Sequence, residues 1–192
     1  MDANKTVRNR IKMLRESRAI TLEEMADRSG LDAEQINRIE NDIDFPSLAP
    51  LIKIARVLGV RLGTFLDDRD ESGPVISRRE NYKPGINFSN NRTALRHNME
   101  YYALASDKSG RHMEPFIIRI EAPEKNEDFA PSSHEGEEFI YCLEGTVEIV
   151  YGANTYRIKE GDSIYYDSIV AHHVHAADLQ GAKILAIVYT PF

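Results

Sequence analysis

The sequence predicts a multidomain α plus β protein, five helices followed by an antiparallel β barrel, and three observations predict it. Over residues 1–66 apolar side chains recur at helical spacing behind recognisable cap signals. From Asp67 to Glu80 the stretch DDRDESGPVISRRE is charged, carries Gly-Pro and has no periodicity, the signature of a linker. Beyond it, short segments rich in Ile, Val, Tyr and Phe are punctuated by turn residues. The expected units are 1–66, a linker at 67–80, and 81–192.

In the helical part, Ile11 and Leu14 share one face of a first helix. Thr21-Leu-Glu-Glu24 has the form of a capping box and starts a second helix, which Gly30 breaks. Asp32 with Gln35 repeats the pattern, and Ile36 and Ile39 supply the buried side of a third helix. Ser47 precedes a fourth, with Leu51, Ile54, Ala55 and Leu58 at helical intervals and Gly59 as its stop. A short fifth helix is expected around Arg61 to Leu66. In the second part EPFIIRIE, EEFIYCLEGTVEIVYG, NTYRIKEGDSIYYD and KILAIVYTP read as strands, turning at Glu144-Gly145, Gly152-Ala-Asn154 and Glu160-Gly161. Short strands at regular spacing argue for a sandwich or closed barrel and against βαβ units.

Composition excludes several classes. With 42% hydrophobic and 29% charged residues the chain is neither disordered nor membrane-embedded, and no apolar run reaches the roughly 18–20 residues of a bilayer span. The N-terminus MDANKTVRNR lacks the apolar core of a signal peptide, and the lone Cys142 fits a reducing compartment, so a cytoplasmic protein with no membrane partner is expected. The net charge of −7 is unevenly spread, 11 Lys/Arg against 10 Asp/Glu in residues 1–66 and 13 against 21 thereafter. Neither part carries the basic excess that would announce nucleic-acid binding by electrostatics alone.

The order capped helix, glycine turn, capped helix is that of a helix-turn-helix, whose second helix lies in the DNA major groove. TLEEMADRSGLDAEQINRIENDIDFPSLAPLIKIARVLGV resembles the lambda-repressor-like, or XRE, family: Ala26 at the helix crossing, Ile36 and Ile39 toward the core, Glu40-Asn41 as its Glu-Asn pair, and Pro46-Ser-Leu48 opening the fourth helix. The resemblance implies double-stranded DNA as partner, with Ala33, Glu34, Asn37 and Arg38 toward base edges and Asn41 and the first turn from Thr21 near phosphates. Leu22 stands where the family usually has a phosphate-contacting Gln, and Asp42 replaces its usual Gly. From Leu31 to Asp44 there are five acids against the single base Arg38, a poor charge balance for phosphate contact. Lys5, Arg8, Arg10, Lys12, Arg15 and Arg18 of the first helix are candidates to reach the DNA backbone from the flank; otherwise they solvate an exposed face.

HEGEEFIYCLEG followed by GDSIYYDSIVAHHVH resembles the two motifs of the cupin superfamily, a double-stranded β-helix or jelly-roll barrel. Ser132 takes the place of the first motif's leading His, His134 and Glu138 those of its second His and its Glu, Gly145 that of its Gly, and His172 that of the second motif's His. Strand alternation supports convergence: Glu138, Ile140 and Cys142 share one side of a strand and His172 and Val174 one side of another. Two imidazoles and a carboxylate form a set suited to Fe, Zn, Ni or Mn. Alternatively the three are polar groups satisfied within a ligand pocket. His173 is expected outside, His97 and His112 on the surface. Phe139, Tyr141, Leu143 and Val147 are expected near or on the outer face, covered by a second copy in a homodimer.

Head and barrel together resemble an XRE-cupin regulator, which implies a small effector, an organic acid being suited to the imidazoles, with Arg96, Tyr102, Ser132 and Tyr166 as ligand contacts. No residue is assigned a catalytic role in that reading. A second resemblance, to hydroxypropylphosphonic acid epoxidases, falls on the same His134, Glu138 and His172 and on Arg96, Asn98, Tyr101 and Tyr102. It implies a mononuclear non-haem iron oxygenase with the head as a lid. Leu104 and Pro131 stand where that family has a tyrosine and an asparagine. A metal-free binding cupin is a third alternative that leaves the head unused.

Overall fold

The computed structural model describes residues 3–41, 48–66, 74–82, 87–88, 99–108, 110–123 and 129–191. Expectations placed on Asp42, Asp44, Pro46, Ser47, Arg96, His97 and Asn98, and on the first half of the linker, lie outside these residues. The head is built of α1 (Ala3–Ser17), α2 (Leu22–Ser29), α3 (Ala33–Glu40), α4 (Leu48–Val57) and α5 (Gly63–Leu66).

Each helix start in the middle of the head has its cap. Thr21 Oγ1 accepts from the Glu24 N–H (3.1 Å) while the Glu24 carboxylate accepts from the Thr21 N–H (2.9 Å), so two otherwise unpaired donors are satisfied reciprocally. Asp32 Oδ1 accepts from the Glu34 N–H at 2.8 Å, and Gly30, at φ 67°, supplies the left-handed residue that ends α2. Val7, Ile11, Met25, Ile36, Ile39, Leu51, Ile54, Leu58 and Phe65 fill the head's core. Each such side chain contributes about 1.5–3 kcal/mol on burial.

The basic face expected of α1 is largely spent inside the head. Arg8 is buried, Arg10 donates to the Phe65 carbonyl (2.8 Å), and Arg15 grips Glu40 through two bonds of 2.7 Å while donating to the Ile20 carbonyl. Two of the six bases expected to flank DNA therefore hold helices together and a third is buried, and Glu40 of the Glu-Asn pair is the buried partner of Arg15.

A turn of 3₁₀ helix at Arg79–Asn81 precedes the barrel. Its strands are β1 (Asn87–Phe88), β2 (Met99–Ala103), β3 (Met113–Ile120), β4 (Glu137–Glu144), β5 (Thr146–Tyr151), β6 (Asn154–Lys159), β7 (Ser163–Asp167), β8 (His172–Ala176) and β9 (Ala182–Tyr189). They pair antiparallel in two sheets, ordered β1-β2-β3-β9-β4-β7 and β6-β5-β8. This is the jelly-roll, its core formed by inward residues such as Phe116, Ile118, Ile140, Ile184 and Val188 of the larger sheet and Val147, Ile149 and Ala176 of the smaller.

Val147 is fully buried, against the expectation that it sits near the outer face. The register of β4 against β9 shifts between Cys142 and Glu144, and the Gly145 turn follows, so the in-out alternation restarts with Val147 inward. Phe139 and Leu143 are half-buried and Tyr141 is exposed, on the side of β4 opposite Glu138, Ile140 and Cys142.

The head meets the barrel along α4 and α5. Arg61 donates to the Arg111 carbonyl (3.0 Å), Arg111 and Glu114 form a buried pair (2.7 Å), and Arg56 pairs with Glu135 (2.5 Å) in the open. A Cβ on Gly63 would lie 2.7 Å from the Arg111 guanidinium, so glycine there lets α5 close on the pair.

Candidate metal centre

Three strand and loop segments bring the site together. Ser132 and His172 exchange backbone hydrogen bonds (2.8 and 2.9 Å), the His134 N–H donates to the Ser168 carbonyl (3.0 Å), and the Ser168 N–H donates to the Gly136 carbonyl (2.9 Å). The loop 132–136 is thereby stitched to the segment 168–172, and Glu138 follows two residues into β4 facing inward. Gly136 is indispensable to the crossing: at φ 116° a Cβ would stand 1.9 Å from the Tyr189 carbonyl oxygen.

His134, Glu138 and His172 are all buried, and one ligand atom from each lies within 4.8 Å of the others. His134 Nε2 is 2.9 Å and His172 Nε2 3.3 Å from Glu138 Oε1. The other ring nitrogens face carbonyls, His134 Nδ1 the Glu135 oxygen (3.1 Å) and His172 Nδ1 the Val170 oxygen (2.8 Å). A carbonyl only accepts, so Nδ1 carries the hydrogen in each ring, and in the neutral imidazole Nε2 then presents a lone pair. Two lone-pair nitrogens facing a carboxylate oxygen close only around a cation, a proton or a metal ion. Carbonyl-oriented histidines with converging Nε2 atoms are the arrangement of metal-ligating imidazoles, so the donor set fits a divalent ion held by these three residues.

The remaining valences of Glu138 are also directed. Tyr166 Oη donates to Oε2 (2.8 Å) and Ser168 Oγ to Oε1 (3.2 Å). Burial alone would raise the Glu138 carboxyl, but hydrogen bonds and charge from His134 and His172 in their protonated form outweigh it and hold the group well below the usual carboxylate range. Burial and the Glu138 charge push the Tyr166 and Tyr101 phenols upward, which keeps the Tyr166 proton available for donation. His172 is raised: burial disfavours its charged form, but Glu138 more than compensates.

The chamber at the centre is small, about 80 Å³, and is lined by Met99, Tyr101, Ser132 and the three candidate ligands, with Leu48 and Ala49 of α4 at its edge. Of the expected ligand contacts, Ser132 lines it and Tyr166 bonds Glu138. Tyr102 does not reach it. β2 alternates, so Met99 and Tyr101 point in while Tyr102 points out, its hydroxyl accepting from Arg119 (3.2 Å) and its ring under that guanidinium. Tyr101, which the sequence singled out only through the epoxidase resemblance, lines the chamber instead; its parity with the apolar Met99 was the available signal. Ser168 was missed, and no motif position marks it. His173, expected outside, has the opposite parity to His172 on β8 and stacks with Phe129 at 5.1 Å, yet it is half-buried and also lines the chamber; His112 is exposed.

In the head, Glu34, Asn37 and Asn41 are exposed on one face of α3, opposite the buried Ile36 and Ile39, with Ala33 and Arg38 half-buried at its edges. Asn41 Nδ2 donates to the Asn37 side-chain oxygen (2.7 Å), which fixes the pair, and the Thr21 hydroxyl serves as the α2 cap.

Residues 11–65 match the helix-turn-helix family and residues 119–188 the cupin domain family, so the chain joins an XRE-type helix-turn-helix domain to a cupin domain. This combination fits a transcriptional regulator with an effector-binding barrel. A helix-turn-helix family transcriptional regulator from Vibrio cholerae has the same fold, with a TM-score of 0.68 at 21% identity over 98% of this chain and 97% of that one. The (S)-2-hydroxypropylphosphonic acid epoxidase of Streptomyces wedmorensis is 26% identical over 153 residues, covering 73% of each chain. A structure of Fe(II) HppE in complex with substrate aligns at a TM-score of 0.51 and 20% identity, over 98% of this chain and 100% of that one. Among the described residues no helix is long and apolar enough to cross a membrane.

Proposed function

We propose that the protein is a DNA-binding transcriptional regulator whose barrel senses a small effector at a divalent metal ion held by His134, Glu138 and His172. The convergence of two carbonyl-oriented imidazoles on one carboxylate supports the metal, since the contact is repulsive without a cation. A bound ion there offers a Lewis-acidic position to an oxygen ligand, and the chamber of about 80 Å³ admits only a small one, such as the carboxylate end of an organic acid. Leu48 and Ala49 at its edge belong to α4, so an effector in the barrel touches the head directly. Such a ligand shifts DNA binding to the extent that it favours one arrangement of the head over another.

The exposed face of α3 supports DNA as the partner, with Asn37 and Arg38 toward base edges. The half-buried Phe139 and exposed Tyr141 support a homodimer through the barrel, which would present two heads to two half-sites. Replacing Tyr141 by Lys should convert a dimer to a monomer in sedimentation; an unchanged mass would place the interface elsewhere.

Metal analysis of protein purified without chelator, together with a mobility-shift titration on DNA upstream of its own gene at two salt concentrations, tests the reading. About one ion per chain is expected, lost in His172→Ala, with DNA affinity that changes between metal-loaded and chelated protein. DNA affinity indifferent to metal, or absent in the wild type, would sink it. The similarity to the epoxidase supports a second reading, a mononuclear iron oxygenase; oxygen uptake on adding Fe(II) and a small hydroxy acid, without DNA binding, would select it.

A further inference from the structure

Besides the metal chamber a larger cavity, about 260 Å³, lies in the cleft where the head rests on the barrel. Its walls carry four cationic side chains, Arg28 of α2, Lys53 and Arg56 of α4, and Arg61 ahead of α5, against one carboxylate, Glu135. This is unlike the rest of a chain whose net charge is −7. Its lining also carries apolar side chains from both sides, Ile52 and Leu62 from the head and Ile169 and Pro191 from the barrel. Cations beside apolar side chains match a ligand with an anionic end and a hydrocarbon body, because the charge is desolvated only where guanidinium and ammonium donors replace its water. The volume approaches the roughly 300 Å³ at the lower end of small-molecule pockets, whereas the metal chamber falls far short of it.

We propose that this cleft is a second ligand site, separate from the metal centre, that binds a small amphiphilic organic anion between head and barrel. Arg61 is held in place by its bond to the Arg111 carbonyl. Arg56 is engaged by Glu135 in a pair whose side chains are 64% and 45% exposed, a contact weak enough for an incoming carboxylate to replace. The Glu135 backbone carbonyl meanwhile orients the His134 ring, and His134 lines both cavities. A ligand that draws Arg56 away from Glu135 therefore acts on a junction that touches α4 on one side and a metal-ligand candidate on the other. Since its contacts come from both domains, its binding favours the docked arrangement of the head.

Hexanoate serves as the probe, titrated calorimetrically into the full chain, with hexylamine and inorganic phosphate as controls lacking the charge or the hydrocarbon. Saturable binding of hexanoate is expected, weakened about tenfold or more in a Lys53→Ala/Arg56→Ala double variant and strengthened in Glu135→Gln, which removes the competing carboxylate. His172→Ala, at a residue that does not line this cleft, should keep saturable hexanoate binding. Equal binding of phosphate or hexylamine, no loss in the double variant, or loss in His172→Ala instead would overturn the proposal. The last result would put the acid in the metal chamber and leave the proposed function standing. Lys53 and Arg56 lie outside the core, so a far-ultraviolet spectrum matching the wild type is expected and confirms that lost binding is not lost fold.

Discussion

Tyr166 and Gly136 bear on the candidate metal centre without offering a ligand atom. The Tyr166 hydroxyl fixes the Glu138 carboxylate by donating to Oε2, so Tyr166→Phe leaves the ring packed but frees the carboxylate to turn. Divalent-metal affinity should fall about 10- to 100-fold, read by competition against a chromophoric chelator, while the unfolding midpoint moves little. Gly136→Ala should act on the backbone instead. With φ at 116° and the Tyr189 carbonyl where the new methyl would stand, β9 and the 132–136 loop cannot both keep their places. A loss of about 3 kcal/mol or more is expected in chemical denaturation, together with loss of metal binding, because His134 and Glu138 flank that glycine. The three candidate ligands were legible in the sequence because each sits at a motif position. That Tyr101 rather than Tyr102 faces the chamber, and that Ser168 joins Glu138, were not, since one depends on strand parity and the other on a loop crossing that joins residues about thirty positions apart.

At the scale of elements, the cap residues announced α2 and α3 and the alternation announced β4 and β9, because those signals are local. The use of the α1 arginines was hidden, because a basic residue on a helix looks the same whether it faces water or a carboxylate from another helix. Arg15 is the case that matters. Its side chain is 11% exposed and that of Glu40 2%, so the pair joins α1 to α3 in a desolvated setting. Arg15→Ala would strand the Glu40 carboxylate, and the head should lose about 3–5 kcal/mol, whereas Arg15→Met/Glu40→Leu, which removes both charges, should recover most of it. Urea titration followed by far-ultraviolet dichroism separates the outcomes; equal losses in both variants would mean that packing, not the stranded charge, sets the cost. The inward Val147 has a similar lesson, since the register shift at Cys142 to Glu144 reverses the parity that counting along β4 would assign.

For the whole molecule, the contact between head and barrel decides whether a metal bound at the candidate centre would be felt at α3, and no sequence motif reports it. It combines the buried Arg111 and Glu114 beside Gly63, the Arg61 bond to the Arg111 carbonyl, and the exposed Arg56 and Glu135 pair. It also sets Leu48 and Ala49 at the metal chamber. Because an ion bound by the folded site and not by the unfolded chain stabilises by mass action, free metal at 100 times its dissociation constant should add about 2.7 kcal/mol to the barrel. In scanning calorimetry the barrel transition should therefore rise on adding metal, and His172→Ala should abolish the rise. The head has no ligand of its own in the centre, so its transition moves only through the docking contacts. A rise in both transitions that shrinks to the barrel alone in Gly63→Leu, where a side chain is forced against Arg111 and Glu114, would trace the coupling to that interface. Two transitions that ignore each other in the wild type would instead mean that the head docks without sensing the metal, and an effector could then act on it only by touching α4 itself.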